Sequence, residues 1–232
     1  MELTIVLPAY KEADNLKKIL PKIHNQVKQF NIDYEILVVD TMNQMDNTQN
    51  VCLANCVNYI NREKGNLYGD AIRTGISKSN GNYILMMDAD GSHEPKSIIS
   101  LYRTISDNNC DLVVGSRYCA GGKTDNSFIL KAMSYVLNLT YRIIFGLRVK
   151  DCSNSFRIYR ADKLKSISLE CDNFDIVEEI LIKLYKKYPN LDIKEVPIYF
   201  KKRDEGVSKR DLIKFIFSYI TTINRLLRIK YS

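Results

Sequence analysis

Three absences narrow this sequence before any residue is given a role. It has no CxxC pair, no GxGxxG after its first strand-like segment, and no GxxxxGK(S/T) anywhere. Glycine-rich loops cradle phosphates with backbone N–H groups, so a dinucleotide fold and a P-loop are both disfavoured. Any phosphate must then be met by a metal ion or a cationic side chain. The six cysteines, at 52, 56, 110, 119, 152 and 171, include one pair a helical turn apart, but neither of the two histidines is close to that pair in sequence. Free thiols in a reducing compartment are therefore expected, and a zinc site is not. There is no low-complexity tract and no internal repeat. No signal-peptide pattern precedes the apolar run at residues 3–7, and a cytoplasmic protein is expected.

What is present is enough for one large domain or two small ones: 232 residues, 45% hydrophobic and 26% charged. The net charge of +7 is unevenly placed. Residues 201–232 carry nine Lys/Arg against three Asp/Glu, and residues 126–150 carry four basic residues and no acid. Two basic segments on an otherwise slightly acidic chain point to a partner with an anionic surface.

Hydrophobic patterning alternates between strand and helix. Strands are expected at residues 3–7, 34–39, 57–60, 83–87, 111–114, 151–159 and 191–200. Helices are expected at about 14–29, 46–55, 68–79, 95–106, 128–147, 175–187 and 211–231, with Asp14 or Asn15 capping the first and Gly75 on a close-packed face. This order predicts an α/β fold, a mostly parallel sheet covered by helices on both faces. Ligands of such sheets lie at the carboxyl ends of the strands. Polar residues collect there repeatedly: Pro8, Tyr10 and Glu12, then Asp40, then Asp88-Ala89-Asp90, then Arg117 and Tyr118. Asp88 and Asp90 follow a hydrophobic run, and a strand continued through them would turn both carboxylates to one face. Two hard oxygen ligands at one point suit Mg²⁺ or Mn²⁺, which take the rest of their shell from substrate phosphates. An acidic turn is the plain alternative for this stretch alone.

Two segments depart from the alternation. Residues 128–147 are about 20 positions long, and four of the polar ones (Lys131, Ser134, Asn138, Arg142) step by 3, 4 and 4 along one helix face. The length would cross a bilayer, but Lys131 and Arg142 would each cost about 2.5–3.5 kcal/mol near its centre. A helix lying in the membrane interface fits better, with packing on the core or on a second copy of the chain as the alternative. Residues 211–232 form a second basic amphipathic helix of the same kind. No nucleic-acid module is present, and these basic helices are too apolar to track phosphates, so a nucleic-acid partner is not expected.

Taken in order, eight pieces of the chain resemble glycosyltransferase family 2 with its GT-A fold. Within that family they resemble the dolichyl-phosphate mannosyltransferase-like branch, which acts on polyprenyl phosphates. The pieces are residues 7–16, 36–40, 62–75, 87–95, 115–118 with Gly121-Gly122, 151–160, 195–198, and Arg203, Gly206, Ser208 and Lys209. The resemblance implies one GT-A domain over residues 1–210, followed by the helix 211–232. It implies that Pro8, Tyr10, Glu12 and Asp40 hold the base and ribose of a nucleotide-sugar, alongside the Asp88-Ala89-Asp90 motif. Asp88 and Asp90 would hold the metal, with Ser92 where relatives can use a side-chain oxygen. Arg117 would meet a phosphate, Arg203 and Lys209 would close over the donor, and Ser153, Asn154 and Arg157 would face the acceptor.

Two departures from the family pattern stand out. The loop after Asp40 lacks the second Asp and both glycines of the family's Asp-Asp-Gly-Ser-x-Asp-Gly-Thr and carries the later Asp and Thr one position further on. The family's Thr-Ser-Gly-Phe-Arg is here Ser153-Asn154-Ser155-Phe156-Arg157. The expected reaction is inverting, metal-dependent transfer of a sugar from GDP-mannose or a UDP-sugar to a polyprenyl phosphate, at the inner face of a membrane. A phosphate acceptor needs no general base, whereas a sugar hydroxyl does. Asp151 and Glu178 are the acids available for that second chemistry, transfer to a cell-surface glycan. A non-catalytic nucleotide-binding protein is the alternative of another class.

Overall fold

The computed structural model describes residues 1–202 and the helix at 212–231, with the side chains of that helix from 221 to 230. The elements, in chain order, are β1 (Leu3–Pro8), α1 (Ala13–Val27), β2 (Tyr34–Asp40), α2 (Thr48–Ala54), β3 (Asn58–Asn61), α3 (Tyr68–Lys78), β4 (Tyr83–Met86), α4 (Ser97–Asn108) and β5 (Leu112–Ser116). They continue with β6 (Lys123–Thr124), α5 (Phe128–Phe145), β7 (Arg157–Arg160), α6 (Ala161–Lys165), α7 (Ile176–Lys187), β8 (Ile193–Pro197), β9 (Tyr199–Phe200) and α8 (Leu212–Tyr231).

Seven strands form one sheet in the order β3-β2-β1-β4-β7-β5-β8. All pair in parallel except β7, which runs antiparallel to both β4 and β5. β1 shows why the centre is parallel: all six of its residues are buried, as in a strand covered on both faces. Its side chains alternate between two cores. Ile5 and Leu7 join Leu16, Leu20 and Ile98 of α1 and α4, while Val6 joins Ile72, Ile84 and Ile180 on the opposite face. Gly75 of α3 packs where expected, since a Cβ there would lie 2.3 Å from Val6 Cγ1.

Four expectations change. The run at 151–159 is a strand only from Arg157, because residues 151–156 spend their polar groups on α5 and Arg117. The run at 191–200 divides at Ile198: β8 stays in the main sheet, and β9 pairs with β6 in a separate two-stranded ribbon. The first helix begins at Ala13, with Glu12 rather than Asp14 or Asn15 in the capping position. The strand at 83–87 ends at Met86, so Asp88 and Asp90 stand on a loop. The loop, and not strand alternation, therefore sets their placement, and Gly91 beside them takes a φ of 80°.

α5 and α8 are the unusual helices. α5 turns its polar Asn138 inward with Leu137, Tyr141 and Phe145, and turns Phe128, Ile129, Val136 and Ile143 outward. α8 packs on α7 and α5 through buried Leu226 and Ile229. Lys230 Nζ donates to the Ile144 carbonyl at 2.8 Å, and Arg225 pairs with Asp175 at 3.2 Å.

Candidate active site

The carboxyl ends of β1, β2, β4 and β5 lie along one edge, and because β7 is antiparallel its entry loop arrives at that same edge. Sites in parallel sheets form there because each strand ends in a loop free of ladder hydrogen bonds.

On the β1 and β2 side, Pro8 closes β1 and Tyr10 stands 53% exposed beside it. Glu12 accepts from Asn15 Nδ2 at 2.7 Å. Asp40 ends β2 almost wholly buried, and its Oδ2 accepts from the Tyr59 hydroxyl at 3.2 Å. Burial raises the Asp40 carboxyl above the usual aspartate value, against the hydrogen bonds from Thr41 and Tyr59. The irregular loop after it keeps an anchor. Asp46 accepts from the backbone N–H groups of Ala13 and Thr48, both at 3.0 Å, and hydrogen bonding at these two residues outweighs burial and holds its carboxyl below the usual range. The displaced Asp and Thr thus tie the loop to the start of both α1 and α2. Arg62, which sequence reasoning did not single out, ties the loop after β1 to the segment before α3 by donating to the carbonyls of Ala9, Asn66 and Leu67.

At the centre, Ala89 and Asp90 are buried and Asp88 is partly exposed. Asp90 Oδ1 accepts from both the backbone N–H and the hydroxyl of Ser92, at 3.0 and 2.6 Å. Ser92 is wholly buried, so its oxygen supports Asp90 and does not present itself at the surface. Asp88 Oδ1 accepts from Tyr68 at 3.2 Å and Oδ2 from Ser155 at 2.9 Å. Burial and the adjacent Asp88 charge push the Tyr68 phenol well above its ordinary value, keeping it a donor. His93, also missed, holds the loop from below. Its Nδ1 accepts from the Asp88 N–H at 3.1 Å, which leaves the proton on Nε2, facing Asn154 Oδ1 at 3.1 Å. The ring stacks on Phe156 at 4.7 Å. Among the described residues no group of three His, Cys, Asp or Glu side chains converges. Two carboxylates alone fit a hard divalent ion that completes its shell from diphosphate oxygens and water, and fit poorly an ion that needs a full protein cage.

On the β5 side, Arg117 is held rigidly. Its Nε and Nη2 donate to the two oxygens of Asp151 at 2.8 and 2.7 Å, and Nη2 also donates to Ser153 Oγ. Asp151 has no exposed surface, and its Oδ2 also accepts from the Arg117 N–H. Asn138 of α5 completes the cluster, its Oδ1 accepting from the N–H groups of Cys152 and Ser153. Outside Arg117 opens a pocket of about 870 Å³ lined by Lys96, Lys123, Lys131, Tyr118 and Tyr199, with Asp125 as its acid. Two residues expected at the acceptor lie elsewhere. Arg157 is wholly buried and donates to the carbonyls of Val177 and Cys152. Asn154 is buried between His93 and the Gly115 carbonyl. Ser153 does stand beside Arg117. Glu178 is buried near Arg157, and burial pushes its carboxyl up to about 8 despite that neighbour. Arg203 and Lys209 lie outside the described residues.

A mostly parallel seven-stranded α/β sheet with an Asp-x-Asp loop at its carboxyl edge is the arrangement of a GT-A glycosyltransferase. In its fold the chain matches the glucosyl-3-phosphoglycerate synthase of Mycobacterium tuberculosis, solved with Mn²⁺, UDP and glucosyl-3-phosphoglycerate, at a TM-score of 0.74 over 98% of this chain and 79% of that one, with 17% identity. The same protein with Mg²⁺ and UDP matches at 0.72, with 16% identity. The family model for glycosyl transferase family 2 matches residues 4–168. The chain is 33% identical over 234 residues to the dolichol-phosphate mannosyltransferase of Pyrococcus furiosus, covering 98% of this chain and 64% of that protein. It is 30% identical over 216 residues to the polyprenol monophosphomannose synthase of Mycolicibacterium smegmatis, covering 88% and 79%. The chain belongs to glycosyltransferase family 2. It spans slightly less than two thirds of the archaeal relative's length.

Proposed function

We propose that this enzyme transfers a sugar, mannose by analogy with its relatives, from a nucleotide-diphosphate sugar to a polyprenyl phosphate at a membrane surface. The observation that carries the reading is the state of the two candidate bases, Asp151 and Glu178, the pocket's own Asp125 being bound to the Tyr199 hydroxyl. Asp151 is sealed from solvent and spent on Arg117, and Glu178 is buried beside Arg157. Neither is placed to take a proton from a hydroxyl acceptor. A phosphate monoester needs no such base, being largely dianionic near neutrality. The pocket beside Arg117, with Lys96, Lys123 and Lys131 on its walls, has the charge to receive it. That pocket runs up to the N-terminal end of α5, whose outward face is apolar, as a lipid-borne phosphate requires.

In the transfer, an oxygen of the acceptor phosphate forms a bond to the anomeric carbon from the face opposite the diphosphate. The bond from that carbon to the diphosphate breaks, and its electron pair leaves with the nucleoside diphosphate. Asp88 and Asp90 would hold Mg²⁺ or Mn²⁺, which would offset the charge of the leaving group. Asp151 keeps the Arg117 guanidinium aimed, and the Lys131 and Lys123 ammonium groups draw the acceptor in.

Lys123→Glu and Lys131→Glu test the acceptor assignment. Each is expected to raise the KM for a short-chain polyprenyl phosphate about tenfold, while the thermal shift produced by GDP or UDP with Mn²⁺ stays that of the wild type. An unchanged KM in both variants would contradict it.

A further inference from the structure

The Asp88 side chain is 22% exposed, so water could satisfy its oxygens unaided. Protein hydroxyls do so instead, one on each oxygen and each from a different segment. Tyr68, the first residue of α3, donates to Oδ1, and Ser155, two residues before β7, donates to Oδ2. The final torsion of an aspartate is broad and two-fold, so a donor on each oxygen fixes the carboxylate plane. Both donors are themselves immobilised. The Tyr68 ring stacks on Phe174 with centroids 4.3 Å apart. The next residue, Gly69, donates its N–H to the Asp172 carbonyl at 2.7 Å, where a Cβ would meet the Cys171 oxygen at 2.2 Å. Ser155 follows Asn154, which is tied to His93 and Gly115, and precedes Phe156, which stacks on His93.

We infer that Tyr68 and Ser155 are positioning residues that set the orientation in which Asp88 meets the divalent cation and diphosphate of the donor. This rests on the proposed metal-side role of Asp88. Partners in the outer shell of a ligating carboxylate change metal affinity about 10–100-fold. Tyr68 and Ser155 reach Asp88 from α3 and from the β7 entry loop, so the closing of those segments on β4 is what shapes the donor site.

The test uses the full chain and reads bound Mn²⁺ directly, by electron paramagnetic resonance titration in the presence of GDP and, in parallel, UDP. Tyr68→Phe and Ser155→Ala are each expected to weaken Mn²⁺ binding several-fold, and the double variant about 10–100-fold. Metal-free GDP or UDP binding should stay unchanged. Asp88→Asn should lose the site. If Asp88→Asn loses it while the hydroxyl variants, singly and together, bind Mn²⁺ like the wild type, the positioning role is refuted and the role of Asp88 stands. If Asp88→Asn binds as the wild type does, the role of Asp88 falls and the inference with it. A parallel fall in metal-free nucleotide binding would mark a merely structural role and overturn the inference. The single variants decide the matter should the double variant not fold.

Discussion

α1 and α5 are amphipathic helices of 15 and 18 residues that differ in what they leave outside. α1 buries Leu16, Ile19, Leu20, Ile23 and Val27 against the sheet and leaves its lysines outside. α5 buries Leu137, Asn138, Tyr141 and Phe145 and leaves Phe128, Ile129, Val136 and Ile143 in solvent, at exposures of 61–84%. For α1 the core is the apolar partner, and each fully buried side chain contributes about 1.5–3 kcal/mol. For α5 the core takes Leu137, Tyr141 and Phe145 and adds the hydrogen bonds of Asn138, while a second apolar face, Phe128, Ile129, Val136 and Ile143, has no partner among the described residues. On the proposed function, that outward apolar face is the surface that meets the acceptor's lipid. Its continuity with a pocket of lysines favours a lipid carrying a phosphate. Amphipathic periodicity reports that a helix has two faces, and only the surroundings decide which face turns inward.

The contrast can be broken or sharpened by substitution. In α1, Leu20→Ala is expected to cost about 2–5 kcal/mol in urea denaturation, since the residue is fully buried. In α5, the inward face carries one polar side chain on which the fold depends. Asn138→Ala removes the acceptor of two backbone N–H groups and should cost about 1–3 kcal/mol in the same measurement. The outward apolar side of α5 should be nearly silent there: Val136→Glu with Ile143→Glu is expected to change stability by about 0.5 kcal/mol or less. The same pair should weaken sedimentation with anionic vesicles at least about tenfold, as two side chains worth about 1.5–3 kcal/mol each lose their burial. A large loss of stability in the glutamate pair, with vesicle binding intact, would mean that α5 uses its apolar face within the protein.

Most of the sheet was legible in the sequence because its central strands are continuous apolar runs, as in residues 3–7 and 34–39. The reversed direction of β7 was not legible. Direction is set by the long connection through α5, and nothing in Arg157–Arg160 encodes it. That one reversal carries much of the site, because it brings Asn154 and Ser155 to the Asp88 loop. Asp88, Asp90 and Arg117 were visible as polar residues at strand ends. Their supports were not, since Tyr68, His93, Asn138 and Ser155 act across 5 to 67 residues of sequence and have no local pattern. Arg157 illustrates the opposite error. A conspicuous arginine in a family motif was expected at the acceptor, yet it is folded inward on two backbone carbonyls. The cysteines, read as free thiols, are six unpaired thiols in the structure.

Acceptor chemistry tests the central claim most directly. Purified enzyme is incubated in vesicles with Mn²⁺ and radiolabelled GDP-mannose, with UDP-glucose in parallel, and offered a polyprenyl phosphate or the free polyprenol of the same chain length. Label is expected on the phosphate lipid alone, and its formation should disappear in Asp90→Ala. Label on the polyprenol or on an oligosaccharide hydroxyl, at a rate equal to or above that on the phosphate, would contradict a site in which Asp151 is spent on Arg117 and Glu178 is buried.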